Sequence, residues 1–538
     1  MPRPGHAFIP PLTRQPEMTF DALVVGAGLC GSWVAKELTS GGMTVGLVDA
    51  GALLPDSLFT PVRSGAGLFS LRRHLFRLKL LATGRTDLGF SDVASDQTHR
   101  LFLDRRHHPY ATSGADFIWH RLRAVGGRGH VWGRVMLRMT ERQLAGWPVS
   151  YAELAPYYEE VERLLELGGD RSTDEAVPDG AYVHHRSLNA LEQTFCAAAE
   201  RANPERRAVV NHVAGYDPAA LSPMLRIAQA TGRLTLLPET VATRLLIDDR
   251  AGPDDRITGI GAACARTGAQ RELRARHVIL AASAFETLRV LLNSRSDGHP
   301  EGLGNAHGLL GTGLLEHLNA TVFEQLPASS RNPRPTYRHN PFKLNEEPHG
   351  FYIPPVRPAA PATAPSPAER FGIQGTISAD TGIFYIGAFG EADRSQANRL
   401  TLDPARRDKF GVPLAAIHFA WSDNDLATWR CMNETLADMT EAFCASSGVK
   451  FGHSVVGALR KAVQQNAVPV AGTNHECGGA QMGTDPETSV VDAHNRLWEA
   501  PNVLVCDAAC FPTLPPQNPT ATTMALAVRA SRRLLADA

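Results

Sequence analysis

The chain has almost no excess of charge: 54 Lys and Arg stand against 55 Asp and Glu, a formal net charge of −1 at pH 7. That excludes the basic footprint a nucleic-acid surface needs. No apolar run is long enough to cross a bilayer as a helix, so no transmembrane segment is expected. The first 19 residues are Pro-rich and lack the apolar core of a secretion signal, which points to the cytoplasm. The eight cysteines form no C-x-x-C pair and no Cys/His set at zinc spacing. Neither a metal site nor a disulfide framework is expected, and the thiols read as core residues of a reducing compartment. No repeat of fixed period is present. What remains is ordinary globular composition, 43% hydrophobic and 20% charged, in 538 residues. That length predicts two domains rather than one core.

The N-terminal segment is the first informative one. Phe20 to Val25 is a short apolar run that reads as a buried parallel strand. Gly26, Gly28 and Gly31 follow as G-x-G-x-x-G. The first permits a tight turn, the second lets backbone approach a pyrophosphate, and the third lets helix and strand pack closely. A helix opening near Leu29 aims its unpaired N–H groups at the phosphates. A second strand, Thr44 to Val48, ends at Asp49. This acid lies near the ~20-residue spacing at which a carboxylate meets ribose hydroxyls. The unit predicts a dinucleotide site without choosing between FAD and NAD.

Further along, the basic-apolar patch Ser70 to Leu81 reads as a packed amphipathic helix, with a membrane or partner surface as the alternative. Gly126 and Gly127 form a flexible turn where backbone can lie against a flat ligand. Ser150 is a plausible N-cap for the helix that follows. Glu239 to Asp248 and His277 to Ala281 read as strands, and Ala284 to Asn293 as a helix. Pro327 to Pro367 is read as irregular; its Ala/Pro tract reads as a surface loop, either a lid over a pocket or a passive excursion. The segment from Phe371 alternates like antiparallel strands, Asp423 to Ser447 reads as one amphipathic helix, and Pro501 to Val505 as another strand.

The C-terminal segment from His475 to Ser531 carries H-x-x-G-G-x-x-M-G and then Q-N-P-T before a run of helix formers. Oxidising an alcohol removes a hydroxyl proton and a hydride from one carbon. Imidazole is the natural base near neutral pH. A donor must meet the developing alkoxide, and the hydride needs an acceptor that side chains do not supply. His475 and Asn518 are the candidates for base and donor. The bland alternatives are a structural histidine, one of 20 in the chain, and a turn-forming Asn before Pro519.

Taken together, these segments resemble the glucose–methanol–choline (GMC) oxidoreductases. The resemblance spans most of the chain and adds W-P-x-S-Y-x-x-L-x-P-Y-Y at Trp147 to Tyr158, the GLLGTGLLEHL stretch at Gly308 to Leu318, and NRLTLDPARRDKFGVP at Asn398 to Pro413. Motif detail is nearest to the pyranose oxidase and sugar dehydrogenase large-subunit branch. The resemblance implies FAD as cofactor. It implies that Asp49 contacts the adenosine ribose, Val241 the adenine, Asp507 and Ala508 the ribityl and pyrophosphate region, and Pro519 and Thr520 the flavin edge. Several members tether FAD through a His four positions after the second Gly of the flavin loop. Here Val131 holds that position and His130 precedes it, so His130 is read as a flavin-side residue and the FAD as non-covalent.

The expected fold is α/β (α+β overall), a Rossmann-like FAD-binding domain interleaved with a substrate domain on a mainly antiparallel sheet. The expected boundaries are 18–145 for the first FAD part with an insert at 55–104, 146–207 for a helical substrate-side segment, and 208–320 for the second FAD part. The substrate domain follows at 321–459, with the Pro-rich loop at 327–367, and 460–538 closes the FAD domain. The expected reaction is oxidation of a CH–OH group, in a sugar, glycoside or related polyol, by proton abstraction at His475 and hydride transfer to flavin N5. A flavin-containing lyase, an oxidase of a non-sugar alcohol and a non-catalytic nucleotide binder are the alternatives. Partners are a small-molecule alcohol and an electron acceptor, oxygen or another; homo-oligomerisation is left open.

Overall fold

The structure is a computed structural model, and it describes residues 19–59, 62–65, 100–172, 174–217, 219–332, 336–339, 350–357, 365–451 and 455–537. The Ser70–Leu81 patch and residues 358–364 of the Ala/Pro tract lie outside the described residues.

The nucleotide unit forms as its local sequence requires. Strand β1 (Thr19–Val25) runs into the glycine turn, helix α1 (Leu29–Ser40) and strand β2 (Val45–Val48). Gly28 is the N-cap of α1 and offers no side-chain cap. The first N–H groups of the helix therefore stay available to a ligand. Strand β3 (Leu234–Leu237) pairs parallel with β2. The hairpin of β4 (Thr240–Ile247) and β5 (Ile257–Cys264) runs antiparallel into β6 (Gln270–Leu280). The second half of β6 pairs parallel with β1. Strand β11 (Ala500–Val505) pairs parallel with β6. Three distant pieces of chain thus build one parallel sheet, β3-β2-β1-β6-β11. Its interior is a run of Ala22, Val24, Leu47, Ile279 and Leu504, all essentially inaccessible, as a sheet covered on both faces demands. Ligands of such sheets bind beyond the carboxyl ends of the strands, where Gly26, Asp49, Ala281 and Cys506 follow β1, β2, β6 and β11.

The second sheet is antiparallel. Strand β7 (Leu318–Gln325) pairs with β10 (Ile383–Gly390), β10 with β9 (Phe371–Ser378), and β9 with β8 (Phe351–Ile353). One face presents Leu318, Ala320, Val322, Ile373, Phe384 and Ile386 to a buried cluster. There they meet Met432, Leu436 and Phe443 of the long helix α5 (Asp423–Ser447). Ser422 and Asp425 close a capping box at the start of that helix, worth about 1 kcal/mol. The side chains in between, Asn319, Thr321, Phe323, Gln374, Tyr385 and Phe389, point the other way, into a cavity.

One reading is corrected in part. Pro327 to Pro367 is not wholly irregular: Thr336–His339 pairs antiparallel with Val62–Gly65, and β8 lies between β9 and Val209–Val210. Helices Tyr151–Leu164, capped by Ser150 accepting from the Glu153 N–H at 3.2 Å, and α4 (Ala284–Leu292) stand as expected.

Candidate active site

A single cavity of about 1300 Å³ runs between the ends of the parallel strands and the antiparallel sheet. Its first end is built by the glycine turn. Gly26 adopts φ +101°, and a Cβ there would sit 2.4 Å from the Ala281 carbonyl oxygen. A Cβ on Gly31 would lie 1.8 Å from the Gly26 oxygen, so helix and turn touch. At Gly28 a Cβ would meet nothing within 4 Å, because this residue faces the cavity. Asp49 braces the turn: its carboxylate accepts from the Ala27 N–H at 2.8 Å and the Gly51 N–H at 2.7 Å. Burial pushes its pKa up to about 6. Gly126 (φ +101°) and Gly127 (φ +53°) form a second glycine turn. Gly126 donates its N–H to the Ala27 carbonyl at 3.0 Å. Gly127 faces Gly28 across the wall, 3.5 Å from a would-be Cβ to Cα. Val241 lines the same end.

Asp507, Ala508, Pro519 and Thr520 line the middle. The Asp507 carboxylate accepts from the Thr287 hydroxyl at 2.5 Å and the Ala509 N–H at 3.0 Å. Burial pushes it up to about 6 as well. Thr520 opens helix α6 (Thr520–Asp537), placing the N-terminus of that helix at the cavity wall.

At the far end the structure brings His475 and Asn518 together, 43 residues apart in sequence. Asn518 Nδ2 lies 3.2 Å from His475 Nε2, and both residues line the cavity. On its other side His475 Nδ1 lies 2.8 Å from His317 Nδ1, while His317 Nε2 lies 2.8 Å from the Pro515 carbonyl oxygen. A carbonyl only accepts, so His317 carries its proton on Nε2 and presents a bare Nδ1. His475 must then donate from Nδ1, which leaves its Nε2 without a proton and facing the cavity. Burial, then His317 and Arg128, hold the His475 pKa well below its ordinary value. Burial likewise lowers His317 to about 4. Both imidazoles are therefore neutral near pH 7. Beneath them Arg128 pairs with Glu476 at 2.6 Å and donates to the Asn474 carbonyl at 3.1 Å and the Ser283 hydroxyl at 3.0 Å. Asn474 and Ser283 both sit at positive φ, +68° and +78°. Such backbone costs of order 1–3 kcal/mol and persists where its surroundings over-determine it. Glu316 is buried next to Glu476, and burial first, then that carboxylate, raise its pKa.

The family model for GMC oxidoreductases matches residues 20–319 with its N-terminal part and 393–527 with its C-terminal part. The chain belongs to the GMC oxidoreductase family. It is 28% identical to a 2-methyl-1,2-propanediol dehydrogenase of Mycolicibacterium austroafricanum, over 73% of this chain and 75% of that one. It is 26% identical to a paromamine 6′-oxidase of Streptomyces fradiae, over 98% and 93%. A solved formate oxidase shares the fold at a TM-score of 0.68 and 14% identity, covering 97% of this chain and 99% of the other.

As a GMC oxidoreductase the chain binds FAD, and the cavity fits that cofactor. Two glycine turns leave backbone bare on one wall, helix α1 opens toward them without a side-chain cap, and the cavity continues from Val241 to His475. The expected role of His130 is corrected. Its Nε2 lies 2.6 Å from the Val125 carbonyl, its ring packs 5.2 Å from Phe59, and it is 1% exposed. It lies behind Gly126, off the cavity wall, whereas Val131 and Trp132 line the cavity. Gly127–His130 is a 3-10 turn, in which successive side chains point about 120° apart. His130 is therefore turned into the protein and away from the cavity.

Several residues of this GMC site escaped the sequence reading: His317, Arg128, Glu476 and Ser283. His317 lies in the GLLGTGLLEHL stretch, so the family pattern marked the segment but not the residue. Among the described residues no cluster of three or more His, Cys, Asp or Glu could hold a metal ion, and no helix is long and apolar enough to cross a membrane.

Proposed function

We propose that the chain oxidises a CH–OH group of a sugar, glycoside or related polyol, with His475 as base and Asn518 as hydrogen-bond donor to the same oxygen. The observation that carries this reading is the His317–His475–Asn518 chain. Its tautomers leave His475 Nε2 without a proton, with the Asn518 amide nitrogen 3.2 Å from it and both residues on the cavity wall, so that an entering hydroxyl can exchange their mutual bond for one to each. A hydroxyl placed there donates its proton to His475 Nε2. The Asn518 amide then faces the oxygen as negative charge develops on it. His475 becomes an imidazolium whose Nδ1–H still donates to His317 Nδ1, now as a charge-assisted bond. FAD, when bound, supplies the acceptor for the hydride that leaves the carbinol carbon. The similar proteins named for a diol and for paromamine support the polyol class.

The test is anaerobic stopped-flow flavin reduction by a panel of polyols for wild type, His475→Ala, Asn518→Ala and the double variant. His475→Ala should slow reduction by about 10²–10⁴-fold, and Asn518→Ala by less. The double variant should fall short of the product, because both act on one oxygen. Near-wild-type reduction in His475→Ala with full FAD content would sink the mechanism.

A further inference from the structure

The two most exposed large apolar side chains among the described residues stand on the wall of the cavity. Val468 is 58% exposed and Val470 49%; both line the cavity, and Pro469 between them is buried. The loop that carries them is fixed along its whole length. Upstream, the Ala467 N–H donates to the Ala462 carbonyl at 3.1 Å, which ties the loop to the helix Val455–Gln464. Downstream, Ala471 bridges to Phe117: its N–H donates to the Asp116 carbonyl at 2.9 Å, and its carbonyl accepts from the Ile118 N–H at 2.8 Å. In the middle, the Trp421 indole N–H donates to the Pro469 carbonyl at 2.8 Å. These bonds leave the valines no route into the core. Their apolar surface is held in the water of the cavity, where it is unfavourable until something apolar covers it.

Position and size say what covers it. The loop runs on into the catalytic histidine. Val470 precedes His475 by five residues, at most about 18 Å of chain, and the bends at Gly472 (φ +141°) and Asn474 (φ +68°) shorten that reach. A protein partner does not match. A stable interface takes about 800 Å² from each side, whereas the other exposed large apolar side chains among the described residues, Leu53, Leu58 and Val183, belong to other segments and lie off this cavity wall. Two valine side chains match one ring or a short alkyl chain. They carry no donor or acceptor, so a hydroxyl pressed against them gives up water for nothing, while an apolar group gives up nothing.

We infer that Val468 and Val470 form an apolar subsite for the non-reacting end of the substrate, so that the preferred substrates are alcohols bearing an uncharged aryl or alkyl group, such as the aglycone of a glycoside, and not free sugars. The inference rests on the proposed oxidation and narrows its substrate class.

The test compares wild type with the double variant Val468→Ser/Val470→Ser in anaerobic flavin reduction. The probes are matched pairs: methyl and phenyl β-D-glucopyranoside, methyl and phenyl β-D-galactopyranoside, and 1,2-propanediol and 3-phenoxy-1,2-propanediol. Wild type should favour the aryl member of the pairs it oxidises by about ten-fold in kcat/KM, which ~55 Å² of apolar surface taken out of water supplies. The double variant should bring that ratio to within two-fold of one. Its melting temperature and FAD content should hold, because the replaced side chains are exposed. Placed in a His475→Ala background, the same double substitution should weaken phenyl β-D-glucopyranoside binding by a similar factor, read from the flavin difference spectrum without turnover. A wild-type ratio within two-fold of one, or a ratio the double variant leaves unchanged, overturns the subsite. A change in oligomeric state with the ratio intact assigns the valines to a contact between copies and also overturns it. Failure of every alcohol to reduce the wild-type flavin instead overturns the proposed oxidation; equal binding of the phenyl glucoside in both His475→Ala backgrounds then overturns the subsite as well.

Discussion

His317 is expected to control which nitrogen of His475 is bare, and removing it should cost rate out of proportion to any loss of fold. In His317→Leu the Pro515 carbonyl loses its donor and His475 Nδ1–H loses its acceptor. Two effects follow. First, the Nδ1–H tautomer of His475 is no longer favoured, so part of the population presents N–H, not a lone pair, to the substrate. Second, the bond from His475 to His317 is neutral before proton transfer and charge-assisted after it. A neutral bond contributes about 0.5–1.5 kcal/mol and a charged one about 1.5–3, a gain near 1–2 kcal/mol that exists only as the proton moves. At 1.36 kcal/mol per decade, reduction should slow by about 5–30-fold from this effect alone. The assay is stopped-flow flavin reduction at saturating substrate from pH 5.5 to 9, with FAD content checked by absorbance. His317→Gln is the informative companion, because a carboxamide can donate to Pro515 and accept from His475. It should recover most of the rate. A His317→Leu enzyme within two-fold of wild type at every pH, or a Gln variant no better than Leu, would refute the relay.

Two further outcomes are expected. Acid precipitation of the holoenzyme should leave flavin in the supernatant and a colourless pellet, since Val131 lines the cavity at the tether position and His130 is turned away from it; flavin retained on a His130 peptide would contradict the geometry. Stability should also depend on pH through His317, whose folded pKa is depressed by burial to about 4. The unfolded imidazole takes up a proton below its ordinary 6.5 while the folded one does not, so this contribution is full above 6.5 and is lost as pH falls toward 4. Asp49, Asp507 and Glu316 are shifted upward and act in the opposite sense, so the readout is a difference. The stability of wild type relative to His317→Gln should fall by about 2 kcal/mol between pH 7.5 and 5, measured by denaturant melts at each pH; a difference independent of pH would be inconsistent with a neutral buried His317.

What could be read from the sequence follows from how far apart the determinants lie. The turn from Gly26 to Gly31 was legible because strand, glycines, helix and Asp49 fall within one short stretch; that Asp49 braces the turn through the Ala27 and Gly51 N–H groups, and that Ala281 crowds Gly26 from far along the chain, was not. Helix α5 was legible end to end because Ser422 and Asp425 announce its start and Gly448, at φ +71°, its end. The strand Thr336–His339 was hidden because its partner, Val62–Gly65, is far away in sequence and nothing local demands it. His130 was misread by register: side-chain direction in a 3-10 turn changes by a third of a revolution per residue. His317 was hidden for a different reason. Its segment reads as an ordinary strand entrance, and a buried histidine there is indistinguishable from a core one until His475 and the Pro515 carbonyl arrive from the far end of the chain.

The roof of the cavity combines both cases. Alternation along β9 and β10 was visible in the sequence and β7 was not read as a strand; every residue of β9 is buried, so composition alone does not tell the core-facing side from the cavity-facing one. The difference lies in what each polar side chain finds. Thr376 finds Glu192, and Asn319 finds Thr321 and the Ala388 carbonyl. Gln374, on the same face, finds nothing among the described residues for its oxygen. Which side chains of this sheet face the cavity is therefore settled by the register of three strands that are far apart in sequence, and not by the composition of any one of them.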